Sequence, residues 1–520
     1  MSQLSALSGP ELVFGLVGAV GSDLQAVTRA LTSELNRVRY TVEEIHVSSL
    51  LHQLEPYAVL GNGGFESEFE RIREHMKAGT ELRNRAEAGD VMALLAISEI
   101  NRRRIALQSS RSEGDAAMRP LQRTAFVIRS LKHPDEIQAL RYVYGRAFNV
   151  VSIYSPRQGR VEKLASMIAE SQGETYVDRF RAQAEELIEI DEQEESKLGQ
   201  SVRESFPRGD FFADARSPER LQTSLARYVR LLFGHPFETP TRDEFAMFHA
   251  YAAALRSADL GRQVGVAITN RDGSILAVGC NDVPKIGGGL YWNGERPDHR
   301  DFVKGFDSTS KFKRRLLTQA LARLREAGWK PPDNSQGDAD SLIDAGTLNG
   351  TQIQNLLEFG RSVHAEMSAL SEAAHRGIAV DGASMYSTTF PCHLCARHII
   401  SAGIRRVIYI EPYPKSLARE LYEDMIEVDP RAKRTDRVAF EPFVGVAPSI
   451  YIEMFRANER KDGQGNALTW GEAKAEARLK RFVRSYLLIE DTVLGKVLPA
   501  ALGRGNVSRV PEETSNDSSG

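Results

Sequence analysis

Cysteine is scarce, with three residues in a chain of 520, at positions 280, 392 and 395. So few thiols exclude a disulfide framework and suit a reducing compartment, where cysteine serves as a metal ligand or a reactive group. Long apolar runs are lacking too. Without a stretch of about 18 apolar residues no membrane span is expected, and no secretory leader is recognisable, so the expectation is a soluble, cytoplasmic protein. Neither sign of charge dominates: 67 Lys and Arg against 70 Asp and Glu leave a net charge of −3 and a pI near 6.5. That balance excludes recruitment of nucleic acid by a global basic field and leaves only local patches for it. Internal repeats are absent as well.

What is present is 42% hydrophobic residue, enough over this length for more than one core. Two domains are the natural division. The chemistry concentrates in one stretch, His364-Ala365-Glu366 followed by Pro391-Cys392-His393-Leu394-Cys395. Zinc binds imidazole and thiolate well, and a catalytic zinc site keeps three protein ligands and leaves a position for water. His364, Cys392 and Cys395 supply three ligands, and Glu366 is left to move protons. Cys392 and Cys395 are three apart, which on a helix starting after Pro391 puts both thiols on one face near a helix N-terminus that favours thiolate. His364 and Glu366 are two apart, about 200° on a regular helix, so they are expected where a helix is just opening. Cys280 offers an alternative, a closed Cys₃His cluster with a purely structural role. Such a cluster has no use for Glu366.

HxE followed by PCxxC is the zinc deaminase signature. Around it, Gln263-Val264-Gly265-Val266-Ala267-Ile268 and Gly279-Cys280-Asn281-Asp282-Val283-Pro284 resemble elements of deoxycytidylate deaminases. With a degenerate P-loop-like domain ahead of it, read from the stretch Gly15 to Ser22, the whole chain resembles the bacterial anti-phage dCTP deaminases. The resemblance implies a C-terminal three-layer α/β/α cytidine deaminase-like domain, bound Zn²⁺, and hydrolysis of deoxycytidine nucleotides (dCTP and dCMP) to deoxyuridine nucleotides. It also implies depletion of the nucleotide pool during infection, restraint by a small RNA or another inhibitor, and a homo-oligomer. Asn281 would contact the sugar, the backbone near Ala365 the ring edge, and Lys285 a phosphate. The rival function is editing of cytidine or adenosine in RNA or single-stranded DNA, which requires a basic, aromatic-lined groove.

The N-terminal region opens with an apolar run, Leu12 to Gly18, then Ala19-Val20-Gly21-Ser22-Asp23 and a helical pattern through Leu24, Val27, Leu31 and Leu35. Strand, glycine-rich turn and helix form the unit that cradles phosphate, so Gly15, Gly18, Gly21 and Ser22 are candidate nucleotide contacts. Laid on GxxxxGK[ST] from Gly18, the lysine position falls on Leu24; from Gly15 it falls on Gly21. No lysine reaches the phosphates in either register, so phosphoryl transfer is not expected. Nucleotide sensing and a fold kept for regulation or assembly both remain open. Further strands at Ala125–Ile128 and Phe148–Tyr154, with a helix from Pro134 to Tyr144 between them, imply a parallel sheet covered on both sides, as in P-loop kinases. The expected division is 1–235 for this domain, 236–500 for the deaminase domain with an insertion at 285–362, and 501–520 for a disordered tail.

Overall fold

A computed structural model of the protein describes residues 9–109, 120–192, 198–330, 339–344, 347–348, 351, 359–413, 416–428, 436–457, 459–472, 475–478 and 485–509. The chain divides into two compact units, one made of 1–240 with 444–520 and the other of 241–443.

In the first unit, β1 (Leu12–Gly18) is buried along its whole length and leads through a short loop to α1 (Leu24–Arg37). Then come β2 (Thr41–His46), α2 (Glu68–Ala86), α3 (Val91–Ser109), β3 (Thr124–Arg129), α4 (Pro134–Tyr144) and β4 (Phe148–Tyr154). After them follow α5 (Arg157–Ser171), α6 (Arg181–Glu192), β5 (Phe211–Asp214) and α7 (Pro218–Leu232). These five strands are parallel in the order β5-β4-β1-β3-β2. The continuous apolar runs of β1 and β4 follow from burial on both faces, as parallel sheets require. Val13, Phe126 and Ile128 join a core with α2, α3 and α4, while Phe14, Leu16 and Val127 join another with α1 and α7.

The second unit begins with α8 (Arg242–Ala254), capped by Thr241 and Glu244 in a reciprocal capping box. β6 (Gly265–Thr269) and β7 (Ile275–Cys280) form an antiparallel hairpin whose turn uses Gly273 at φ +90°. Past α9 (Ser308–Glu326), the unit continues with α10 (Ala365–His375), β8 (Ser384–Thr389), α11 (His393–Ser401), β9 (Arg406–Glu411), β10 (Ile426–Val428) and β11 (Val438–Pro442). The sheet order is β10-β11-β9-β8-β6-β7, parallel from β10 to β8 and antiparallel beyond. Two glycines bring helices onto it. A Cβ on Gly265 would collide with α8 at Ala250 and Ala254, and one on Gly279 would collide with α10 at Ala365 and Ala369. In the hairpin, Gly279 is paired with Val266, the neighbour of Gly265, so alternation puts the two glycines on opposite faces and a helix on each. The unit is a helix–sheet–helix sandwich.

The expected deaminase domain, 236–500, is too long at its C-terminal end. From residue 444 the chain belongs to the first unit: β12 (Gly445–Val446) pairs antiparallel with β5, and α12 (Ser485–Thr492) and α13 (Leu498–Arg504) follow. The reason is a buried charge cluster that composition does not reveal. Arg104, fully buried, bonds Glu11 at 2.7 Å and Glu490 of α12 at 2.5 Å, while Tyr144 and Tyr486 donate their hydroxyls to Glu490 and Glu11. Breaking such a buried pair costs about 3–5 kcal/mol. The expected tail also starts too early. Residues 501–504 are helical and Ser508–Arg509 pairs with Leu54–Glu55; the remainder, 510–520, lies outside the described residues, as does part of the 285–362 insertion. No helix among the described residues is long and apolar enough to cross a membrane.

Candidate active site

Three donor atoms converge at the start of α10 and α11. His364 is the residue before α10 and Cys392 the residue before α11, so both side chains come from helix caps with extended backbone. His364 makes no capping bond with its ring, which leaves the imidazole free to reach the thiols. Its Nδ1 stands 3.3 Å from Cys392 Sγ and 3.4 Å from Cys395 Sγ, and the three donor atoms lie within 4.8 Å of one another. Donors about 2.0–2.3 Å from a tetrahedral ion are separated by about 3.5 Å, so this nitrogen and two sulfurs fit zinc. Among the described residues no other group of His, Cys, Asp or Glu meets that condition.

The backbone holds these caps firmly. Val363 pairs with Asp282 just past β7, its N–H donating to the Asp282 carbonyl at 2.9 Å, which sets the approach to His364. The turn before Cys392 is held at Phe390, whose N–H donates to the Glu411 carbonyl at 2.8 Å, and at Pro391, whose carbonyl accepts from Ser416 Oγ at 2.8 Å. Phe390 is packed edge-on against Tyr409. Cys392 Sγ accepts from the Cys395 N–H at 3.5 Å. The Cys395 thiol, then His364, hold the Cys392 thiol down to about 4, into the thiolate form that ligates metal. Hydrogen bonding to Cys392 pushes His364 up to about 9.

Glu366, 5% exposed in the first turn of α10, lies beside the thiols. Burial, and next the Cys392 charge, raise its carboxyl above the usual carboxylate range. A general acid–base group of raised pKa beside a set of three metal donors is the arrangement hydrolysis needs. Cys280 is not the fourth ligand: it ends β7, outside the donor group, and lines a separate cavity of about 770 Å³ with Ser368, Glu372 and His375 of α10. Burial pushes its thiol up to about 11, away from the metal-binding form. A closed Cys₃His cluster is therefore not what the structure contains.

The other candidates are distributed differently. Asn281 Oδ1 accepts from the Val264 N–H at 2.7 Å and its Nδ2 donates to the Arg262 carbonyl at 2.8 Å, so the amide braces the segment entering β6. Ala365 is buried, with its carbonyl against Gly279. Lys285 is bonded to Glu295 at 2.7 Å and lines the Cys280 cavity, whose lining includes neither Glu366 nor any of the three donors. In the first unit, Gly15 sits inside β1 against Leu131 and Phe148, so it is a packing glycine and no part of a phosphate loop. Gly18 ends the strand; Gly21, at φ +83°, and Ser22 shape the loop. Two groups beside the site escaped the sequence reading. Asp259, bonded to Ser362 Oγ at 2.5 Å, adds charge near His364, and Tyr413 lies near Cys392 and Glu366 with Arg262 over its ring. Only the pairing of α8 and β9 ends with the zinc-donor caps makes them neighbours.

Residues 240–411 match the family model described as the cytidine and deoxycytidylate deaminase zinc-binding region. This segment is a deaminase-superfamily domain. It is the domain of a hydrolase. Among curated proteins, deoxycytidylate deaminase of Enterobacteria phage T2 is 28% identical over 32% of this chain and 78% of its own length. The deoxycytidylate deaminase of phage T4 is 43% identical over 17% of this chain and 45% of its own, so the chain spans about half of that relative. Among solved structures, the dCMP deaminase of cyanophage S-TIM5 aligns with 40% of this chain and 100% of its own, at 18% identity and a TM-score of 0.22.

Proposed function

We propose that this protein deaminates deoxycytidine nucleotides hydrolytically, acting on dCTP and dCMP to give the deoxyuridine nucleotides and ammonia. The observation that carries this reading is the convergence of His364, Cys392 and Cys395 on one point with buried Glu366 beside them. These three residues would hold Zn²⁺, which when bound lowers the pKa of water and makes it a nucleophile at neutral pH.

The chain's own residues supply the rest. The Glu366 carboxylate accepts a proton from the attacking water and gives it to ring N3, which makes C4 electrophilic. It then carries a second proton to the exocyclic amine as ammonia leaves. A carboxyl whose pKa burial raises above the usual carboxylate range is a stronger proton acceptor than an exposed carboxylate and can return the proton it takes, as both transfers require. Tyr413 and Phe390, buried or half-buried near the donors, keep bulk water from the reacting ring. Asn281 acts by bracing 262–264 at the edge of the site.

The resemblance of the whole chain supports a role in anti-phage defence, with the deoxycytidine nucleotide pool depleted in the cytoplasm. It likewise supports a P-loop kinase-like ancestry for the first unit, restraint by a small RNA or another inhibitor, and assembly into a homo-oligomer. The near-neutral charge balance speaks against an RNA or single-stranded DNA substrate. The test is incubation of the zinc-loaded protein with dCTP, dCMP and a cytosine-containing oligonucleotide in separate reactions, following uracil product by chromatography. Conversion of dCTP or dCMP is expected; conversion of the oligonucleotide alone would replace this reading with editing.

A further inference from the structure

The three residues before His364 are each tied to a different part of the second unit. Arg361 donates to the Asp301 carboxylate at 2.6 Å and to the His299 carbonyl at 3.0 Å, both in the insertion after β7. Val363 exchanges two backbone bonds with Asp282, at 2.9 and 3.3 Å. Between them, the Ser362 hydroxyl donates to Asp259 Oδ2 at 2.5 Å, and Asp259 lies in the segment that joins α8 to β6. His364 follows directly and makes no capping bond with its ring, so whatever holds 361–363 sets where the imidazole is presented.

The charges in these ties are answered unequally. Arg361 and Asp301 form an ion pair, and the Asp282 carboxylate has the Arg300 guanidinium at 3.7 Å. Asp259 accepts the Gly261 N–H at 2.8 Å through Oδ1 and the Ser362 hydroxyl through Oδ2, while no Lys or Arg among the described residues pairs with it. Neutral donors hold this anion in place without neutralising it. Its segment is itself anchored, since Ser257 Oγ donates to the Asn281 carbonyl at 2.6 Å and the Ala258 N–H to Asp282 Oδ2 at 3.3 Å. Asp259 is thus a half-buried, fixed carboxylate close enough for its charge to act on the His364 ring. Carboxylates placed behind metal-binding histidines orient the ligand and strengthen the site, and losing one weakens metal affinity or activity by about 10–100-fold.

We propose that Asp259 is a positioning residue for the metal centre: through Ser362 it fixes the backbone that presents His364, and its unpaired charge strengthens the hold of His364, Cys392 and Cys395 on a divalent cation. The inference rests on the reading of those three residues as zinc ligands. Two thiolates and a neutral imidazole only balance the charge of Zn²⁺, so a carboxylate just outside them adds an attraction that the ligands lack.

The experiment measures the zinc dissociation constant of the full chain by competition with a chromophoric chelator, beside the melting temperature of the metal-free proteins. Asp259→Asn removes the charge but keeps an oxygen that accepts from Ser362, and it should weaken zinc binding about tenfold with the metal-free melting temperature unchanged. Asp259→Glu should recover part of that loss. Ser362→Ala should weaken binding by a smaller factor, and the loss in the combined variant should fall short of the product of the two single losses, because both act through one bond. In turnover of dCMP the Asp259→Asn effect should appear in kcat and leave KM unchanged, as expected of a group that touches no substrate. Equal zinc affinity in Asp259→Asn and the unaltered chain, or an equal loss in Asp259→Asn and Asp259→Glu, would overturn the proposal and leave the zinc ligands standing. Failure of the unaltered chain to bind zinc would remove the ligand reading, and this inference with it.

Discussion

Two helix starts in this chain meet negative charge in opposite ways. At α11 the capping group is the Cys392 thiol, which accepts the Cys395 N–H and turns toward His364 and Cys395, so the favoured anion is offered to a cation from outside. At α1 the capping group is the Asp23 carboxylate, which accepts the Ala26 N–H at 2.9 Å and pairs with Lys163, while Asp191 takes the Val20 N–H and Lys132. There the chain answers its own charges. The same feature of helices, orphan N–H groups and a positive dipole end, thus gathers a set of candidate metal donors in one unit and builds an internally neutralised loop in the other.

Breaking the first start should have the largest effect. Cys392→Ala is expected to lower zinc from about one per chain to about none, measured by elemental analysis, and to abolish uracil formation, since two protein donors do not hold a catalytic zinc. Glu366→Gln should keep the metal and the fold while turnover falls by about 10²–10⁴-fold, the share that general acid–base catalysis supplies. Retained metal with retained activity in that variant would remove Glu366 from the mechanism.

Breaking the second start should cost stability and no metal. Asp191→Asn strips the carboxylate from Lys132 and the loop. Denaturant unfolding should show a loss of about 2 kcal/mol, less than for a fully buried pair because Lys132 keeps 16% exposure, with zinc content unchanged. A finer separation comes from pH. Burial, and next Arg129, hold the folded pKa of His46 near 4 against 6.5 when free, so the unfolded chain binds its proton more readily. Its contribution is fully present above pH 6.5 and is lost as pH falls toward 4. The melting temperature should therefore decline over that window, and His46→Gln should flatten part of the decline; an identical pH profile in the variant would remove His46 as a cause.

The grouping of His364, Cys392 and Cys395 was legible because their spacing is a local property. HxE and PCxxC sit at helix caps, so helical geometry and the chemistry of the side chains narrow the reading without knowledge of the rest of the chain. The roles of Asn281 and Lys285 were not legible in that way: their amide and ammonium groups are engaged by Val264, Arg262 and Glu295, and those partners are set by how β6, β7 and the following loop fold back. The end of the deaminase unit was hidden for a related reason. Residues 444–509 have no composition that distinguishes them from the preceding hundred, and it is Glu490 meeting Arg104 across 386 positions that assigns α12 to the first unit.

By itself the amino-acid order determined the alternation of buried strands and amphipathic helices, the HAE and PCHLC stretch, and the absence of a lysine in the glycine-rich loop. Those are matters of period, propensity and side-chain chemistry, which act over a few residues. Only the tertiary structure decided that Cys280 stays outside the donor group, that Asp191 fills the loop after β1, and that Asp259 meets Ser362 beside His364. Each of those depends on which distant segment is packed alongside, and burial and charge pairing settle that only when the whole chain is folded.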